Sequence, residues 1–431
     1  MPETTGETVC VVGLGYVGLP LANAFDEEGL DVIGYDVDEG KIAGLSAGRD
    51  PTGEIGDDAV AGSGIDFTTD ATRIERADYV IVTVPTPVDS MKNPDLGFVE
   101  AAGNTVGEHL ASGATVVLES TVYPGVTRDV LGPAIEETSG LTQHEEFNLG
   151  YSPERLSPGT DRSLREVKKI VSGDTEETLS DLVELYGKII DAGLYEAPSL
   201  ETAEAAKVLE NVQRDVNIAV VNELALICDH MDLDTKEVID AAASKWNFHE
   251  YEPGLVGGHC IPVDPLFLVH GSERAGYSPK LILQAREVNE YMPKHTAELA
   301  LKALNESGKV LRDSRLVVLG LAYKPNVGDL RTSEIGGVIT TLAEYGITCD
   351  GYDPLAPADR IEESFGIEPL EEMDFEGADG IVLATPHDAI VANLDLEVAR
   401  EQLADDPVMI DVKGALDETR VTEAGYAYRK L

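Results

Sequence analysis

The sequence predicts an α/β protein in which two doubly wound parallel sheets are joined by a long central helix. Three observations predict it. Short, continuously apolar runs alternate with amphipathic stretches over roughly the first 195 residues, the signature of strands joined through helices. Residues 199–232 contain neither proline nor glycine. From Arg315 the opening pattern begins again, with echoes of its first appearance.

Taken in order, residues 8–12, 31–35, 79–84, 115–118 and 169–172 read as buried parallel strands, because helices on both faces of a sheet leave no polar side. Residues 199–232, rich in Ala, Leu, Glu and Val, read as one long helix. Helical stretches follow at 234–244 and 279–304, with a Gly/Pro-rich segment at 253–265 between them. LVVLGLAYK from Leu316 then parallels VCVVGLGYV from Val9. GYD recurs at 34–36 and 351–353, and VTVPTP (82–87) has a counterpart in VLATPH (382–387). Buried strands converge on Val, Ile and Leu, so chance is the competing explanation. The shared order of three echoes favours a second doubly wound domain. The expected division is a dinucleotide-binding domain at 1–198, a helical domain at 199–305 and a second Rossmann-like domain at 306–431.

Composition narrows the function. Hydrophobic residues make up 43 % of the 431, enough for sizeable cores. No apolar run approaches the ~18 residues of a membrane span. The polar N-terminus lacks a secretory signal pattern, so a cytoplasmic protein is expected. Lys and Arg total 32 against 80 Asp and Glu, a formal net charge of −48. That field repels nucleic acid and anionic lipid. The acids are scattered, as on a halophile-like protein in a salt-rich cytoplasm; a basic partner is the alternative, though acidic partner segments come in blocks. Cys10, Cys228, Cys260 and Cys349 are far apart, so neither a metal site nor a disulfide framework is expected. Cys10, Cys228 and Cys349 read as structural.

Gly13-Leu14-Gly15-Tyr16-Val17-Gly18 follows a strand and opens a helix. The first Gly permits the tight turn, the second lets a pyrophosphate approach the backbone, and the third lets helix and strand pack closely. Asp36 ends the second strand, where a carboxylate binds a ribose 2′-hydroxyl and repels a 2′-phosphate, so NAD is expected rather than NADP. Pro85-Thr86-Pro87 and Glu119-Ser120-Thr121 follow further strands and either line the same crevice or form ordinary turns. Cys260 lies in Gly254-Leu255-Val256-Gly257-Gly258-His259-Cys260-Ile261-Pro262-Val263-Asp264-Pro265. It is a nucleophile in a glycine-framed loop or a buried small hydrophobe. Asp264 stands where it could hold a water or orient a cation. Glu204, Lys207 and Asn211 share one face of the long helix, either as a solvated face or with a partly buried Lys fit for proton transfer or oxyanion stabilisation.

GLGYVGLPLA, VPTP, EST, YSPERLSPG, EAAKVLEN, PGLVGGHCIPVDP and GLAYKPNVGDLRTS occur in that order over nearly the whole chain. Together they resemble the UDP-sugar 6-dehydrogenase family. SKWNF (244–248) with PGLVGGHCIPVDP is most similar to its UDP-N-acetylglucosamine or UDP-N-acetylgalactosamine branch, of Vi and capsule polysaccharide pathways. The resemblance implies a four-electron oxidation of a sugar C6 hydroxyl to a carboxylate with NAD, through a thiohemiacetal and thioester on Cys260. UDP-glucose and UDP-N-acetylmannosamine are the alternative substrates. It further implies that Lys207 stabilises an oxyanion, that Asp264 with Thr121 and Glu154 positions water, and that Asn211 contacts the sugar. Arg155, Gly257, Lys324 and Arg331 fall among its substrate-binding positions, and Tyr16, Val17, Pro85, Thr86 and Thr121 among its cofactor-binding ones. A homodimer through the helical region, or a higher homo-oligomer, is implied too. Two departures stand out. Leu266 replaces a usual aromatic, and Lys413 stands where an Arg near the uridine is usual, keeping the charge without the planar fork.

Overall fold

A computed structural model describes residues 7–155 and 163–431. Met1–Gly6 and residues 156–162, which include the end of YSPERLSPG, lie outside the described residues. The chain forms two compact units, Met1–Glu210 with Val263–Ser278, and Asn211–Pro262 with Pro279–Leu431. The helix Leu200–Met231 begins in the first and ends in the second.

The first unit holds an eight-stranded sheet: β1 (Thr8–Val12), β2 (Asp31–Tyr35), β3 (Asp66–Thr68), β4 (Tyr79–Val82), β5 (Thr115–Leu118), β6 (Asn148–Tyr151), β7 (Lys169–Gly173) and β8 (Leu194–Glu196). Their order is β3-β2-β1-β4-β5-β6-β7-β8. The first six strands therefore follow the 3-2-1-4-5-6 order of a dinucleotide fold, with the switch point between β1 and β4. Period-2 alternation sends Cys10 and Val12 into the core on one face, and Val9 and Val11 into that on the other.

The second unit repeats the plan. β9 (Arg315–Leu319), β10 (Thr348–Tyr352), β11 (Glu368–Pro369), β12 (Gly380–Leu383), β13 (Val408–Asp411) and β14 (Ala427–Lys430) order as β11-β10-β9-β12-β13-β14. All five pairings are parallel. Leu316 and Val318 face one core, Val317 and Leu319 the other. The predicted pair of doubly wound, Rossmann-like domains with a long helix between them is the observed fold.

Several expectations need correction. The strand expected at 169–172 is not purely parallel: β7 runs antiparallel to β6 and parallel to β8. An apolar run carries no direction; the connection decides it. The strand expected to reach residue 84 ends at Val82, three residues before Pro85 opens the proline-rich turn. The loop expected through residue 265 already enters a helix, Asp264–Arg274, with Pro265 in its first turn. The single tryptophan, Trp246, stands 92 % exposed after the helix Thr235–Ala243.

The glycine turn after β1 separates packing from openness. A Cβ on Gly18 would lie 1.9 Å from the Gly13 carbonyl oxygen and 2.5 Å from Thr83 Oγ1, whereas one on Gly15 would meet nothing within 4 Å. Gly18→Ala should therefore cost about 1–3 kcal/mol and lower the melting temperature by several degrees. Gly15→Ala should leave it unchanged. Thermal melts of both variants check the contrast, and equal melting temperatures would refute it.

Candidate functional site

In the first unit, β1 ends at the turn Gly13–Gly18. Gly13 takes φ +95°, which L side chains rarely adopt, and its N–H donates to the Tyr35 carbonyl (2.8 Å). Asp36, buried at the end of β2, accepts the Leu14 N–H (2.8 Å), the Asp38 N–H (3.0 Å) and the Lys41 ammonium (2.6 Å). Burial alone would raise its pKa, but these bonds outweigh burial and hold the carboxyl below the usual range. Lys41 was missed by the sequence reading; its position five residues after the strand-end acid was the available signal. Tyr16 is exposed and Val17 half-buried beside the turn. The open space over Gly15, the nest of turn amides and the fixed carboxylate fit a dinucleotide whose phosphates lie at the N-terminus of the helix Gly18–Glu27.

The neighbouring strand ends are tied to each other. Thr86 Oγ1 donates to the Thr121 carbonyl (2.7 Å) and Ser120 Oγ to the Val84 carbonyl (2.6 Å). Pro85 is exposed; Thr86 and Thr121 are half-buried. Glu119 does not line a crevice. Its carboxylate is buried, accepting from Lys169 Nζ (2.9 Å) and Tyr186 OH (2.5 Å). Lys169 also donates to the Pro153 carbonyl, which fixes the chain just before Glu154 and Arg155. Those two are half-buried, and Arg155 pairs with Glu210 (2.5 Å).

The long helix carries two buried charges in this unit, Glu204 and Lys207. Glu204 accepts from the Gly125 N–H, the Thr127 N–H (2.8 Å) and Thr127 Oγ1 (2.6 Å), so it anchors the loop after β5. Burial pushes its pKa up despite those bonds. One turn on, Lys207 faces Asp264 at 3.5 Å, both more than 90 % buried. Asp264 stands in the first turn of its helix, where the dipole favours a negative charge. Asn211, half-buried, follows one turn after Lys207.

In the second unit, the glycine loop is held at two points. Asn222, fully buried, donates Nδ2–H to the Gly254 carbonyl (3.1 Å) and accepts the Gly254 N–H (2.7 Å). Behind it, Asn289 and Arg286 converge on buried Asp215. Further along, the Gly258 N–H donates to the Thr332 carbonyl (3.3 Å), and a Cβ on Gly258 would press 2.9 Å from the Tyr323 ring. Neither Asn222 nor Tyr323 was singled out from the sequence, since each looks like an ordinary helix or loop residue there. Of the four cysteines, all among the described residues, Cys260 alone is exposed. Burial pushes the Cys10 and Cys349 thiols up to about 12. His259 meets Asp329 (Nε2 to Oδ2, 3.3 Å) rather than the neighbouring thiol.

Arg331 forks onto Asp329 through Nε (2.9 Å) and a terminal nitrogen (2.9 Å). Lys324 is half-buried; burial lowers its pKa, and the nearby Cys260 thiol acts against that shift. Gly257, Ile261, Tyr323, Lys324, Thr385 and Lys413 belong to the lining of a cavity of about 210 Å³ at the carboxyl ends of β9 and β12. Lys413 Nζ also donates to the Pro253 carbonyl (3.2 Å). Leu266 is half-buried in the helix Asp264–Arg274. Among the described residues, no helix is long and apolar enough to cross a membrane.

Comparison with known proteins joins these pieces. Residues 7–190 match the NAD binding domain of the UDP-glucose/GDP-mannose dehydrogenase family, residues 201–291 its central domain and residues 317–418 its UDP binding domain. The chain is 41 % identical to UDP-N-acetyl-D-glucosamine 6-dehydrogenase of Pseudomonas aeruginosa, over 96 % of this chain and 98 % of the relative. It is 42 % identical to the Salmonella typhi protein of the same name, over 88 % and 89 %. The solved UDP-D-ManNAc dehydrogenase of Pyrococcus horikoshii superposes with a TM-score of 0.88 at 30 % identity, covering 98 % of each chain. The chain thus belongs to the UDP-glucose/GDP-mannose dehydrogenase family, as an NAD-dependent UDP-sugar 6-dehydrogenase.

Proposed function

We propose that this enzyme oxidises the C6 hydroxyl of a UDP-N-acetylhexosamine, UDP-N-acetylglucosamine before UDP-N-acetylgalactosamine, to the uronic acid in four electrons. The observation that carries the reading is the exposed Cys260 thiol in a loop shaped by glycines, against three buried cysteines. The choice of sugar draws on the two relatives named for UDP-N-acetyl-D-glucosamine. The solved relative named for UDP-D-ManNAc favours UDP-N-acetylmannosamine as the second reading.

Gly13, Gly15, Tyr16, Val17, Gly18 and Asp36, with Pro85, Thr86 and Thr121, would hold NAD, which when bound supplies the hydride acceptor for both oxidations. The Cys260 sulfur adds to the C6 aldehyde carbon as the carbonyl oxygen gains a proton, and after the second oxidation it carries the acyl group as a thioester. Water adds to that carbonyl, the carbon–sulfur bond breaks, and the acid leaves with the thiol restored. Lys207 stabilises the oxyanion of these tetrahedral species. Asp264, paired with Lys207, acts with Thr121 and Glu154 to orient the water. Asn211 and Arg155 contact the sugar, and Gly257 lets it approach the backbone. Lys324 and Arg331 meet the diphosphate. Arg331 would do so by exchanging Asp329 for phosphate oxygens, since a guanidinium forks equally onto either.

The functional division we propose is 1–198 for NAD, 199–305 for the helical region and the nucleophile loop, and 306–431 for the UDP-sugar. Exposed Val220, Ile227 and Met231 recur on one face of the long helix, which supports a homodimer or higher homo-oligomer through that region. The scattered acids support a cytoplasm rich in salt, and a role in polysaccharide biosynthesis follows from a uronic acid product.

Three outcomes are expected. With purified enzyme, UDP-N-acetylglucosamine should give two NADH per acid formed and the highest kcat/KM in a panel with the galactosamine, mannosamine and glucose nucleotides. One NADH per sugar would overturn the four-electron reading. Cys260→Ala should lower acid formation about a thousandfold or more while NAD affinity holds; wild-type turnover would dismiss the nucleophile. Asp36→Ala should weaken NAD by about tenfold to a hundredfold through lost charge-assisted bonds and leave UDP affinity alone. Titration calorimetry with each nucleotide reads the difference, and unchanged NAD affinity would remove Asp36 from the site.

A further inference from the structure

The three sequence echoes of the second domain meet in one buried knot. The registers of the two sheets correspond: Val12 pairs with Tyr35 and Val82, and Leu319 pairs with Tyr352 and Leu383. Gly320 N–H donates to the Tyr352 carbonyl (2.8 Å) as Gly13 does to Tyr35. Asp353 is therefore the counterpart of Asp36, and its Oδ2 accepts the Leu321 N–H (2.8 Å) as Asp36 accepts that of Leu14.

The likeness ends at the second partner. Asp36 takes a lysine that is partly open to solvent. Asp353 takes His387, fully buried, with Nε2 3.0 Å from Oδ2. The other ring nitrogen, Nδ1, accepts the Asn326 N–H (2.9 Å). A backbone N–H can only donate, so Nδ1 is the acceptor and Nε2 carries the proton toward Asp353. Oδ2 of Asp353 also accepts the Ala322 N–H (3.1 Å), and Oδ1 those of Leu355 and Ala356. With five internal donors against three on Asp36, this carboxylate has no lone-pair direction left for a ribose hydroxyl.

The same knot grips the loop after β9 on both sides of Lys324. Two residues before it, Ala322 is held by Asp353 and, through its carbonyl, by Thr385 Oγ1 (2.7 Å). Two residues after it, Asn326 in the left-handed region (φ 62°) is held by His387 and, through its side chain, by Asp388 (3.0 and 3.1 Å). Ala322, Thr385 and Pro386 are also part of the wall of the 210 Å³ cavity to which Lys324 belongs.

We propose that Asp353 and His387 are positioning residues for sugar-nucleotide binding: they close the second domain's dinucleotide-type crevice and hold Lys324 at the wall of the cavity built over it. This rests on the reading that Lys324 meets the diphosphate, so a Lys324→Ala control belongs to the test. The test uses the full-length enzyme, with calorimetry of UDP binding and steady-state kinetics. His387→Leu, which removes both ring bonds, should weaken UDP and raise the UDP-sugar KM by about tenfold or more, with the NAD KM unchanged. His387→Gln, whose amide offers one donor and one acceptor, should recover most of that loss. A purely structural His387 would lower the melting temperature of His387→Leu without moving UDP affinity, and that result overturns the proposal. If His387→Leu does not fold, Thr385→Val reads the same link by removing one bond to Ala322. About a threefold loss of UDP affinity supports the proposal and wild-type affinity overturns it. If Lys324→Ala leaves UDP affinity intact, the assignment of the cavity fails first; if Lys324→Ala weakens UDP and His387→Leu does not, the positioning role alone fails.

Discussion

Each sheet depends on a carboxylate at the end of its second strand that captures the first amide after a glycine turn. Asp36 does this for Leu14, and Asp353 for Leu321. The bond fixes where the turn ends and so where the crevice at the switch point opens. Each acid is buried, where breaking a charge-assisted bond would leave an uncompensated charge, so the turn has one stable position. The two domains differ in what completes the shell: a lysine that leaves the crevice accessible, or a histidine that seals it.

The side chains proposed for the chemistry include buried charges that are held in pairs. Lys207 and Asp264 lie in low-dielectric surroundings, where removing one partner strands the other at a cost of about 3–5 kcal/mol. Glu204, one turn before Lys207, spends its carboxylate on the loop after β5, so the helix and that loop are tied together. Glu119 and Lys169 do similar work beneath Glu154 and Arg155. The residues expected to touch substrate are thus seated on others that are saturated with internal bonds and have no chemistry to offer.

The fold was legible because its signals are local. Apolar runs marked β1, β2, β4, β5, β9 and β12, and glycine punctuation marked the turns after β1 and before Cys260. Short strands such as β3 and β8, with half-buried or exposed residues, left no such run. Strand direction at β7 was not legible, because it depends on a connection and not on the strand. At the site, Gly13–Gly18, Asp36 and the Cys260 loop could be read from residue type and spacing. The roles of Asn222 and His387 could not, because each arises from partners distant in sequence: 32 residues separate Asn222 from Gly254, and 34 separate His387 from Asp353. The echo between the domains was visible in GYD and TP, yet the histidine that makes the copies diverge gave no warning in the pattern.

The lone tryptophan has an optical consequence. Trp246 is almost wholly in water while the apolar cores are filled by other side chains. Indole emission from this chain therefore reports the polarity around one exposed segment and is nearly blind to the state of either core. Loss of the cores has to be followed by backbone dichroism or by tyrosine, and a blue shift of the indole band would mean that something has come to cover residue 246.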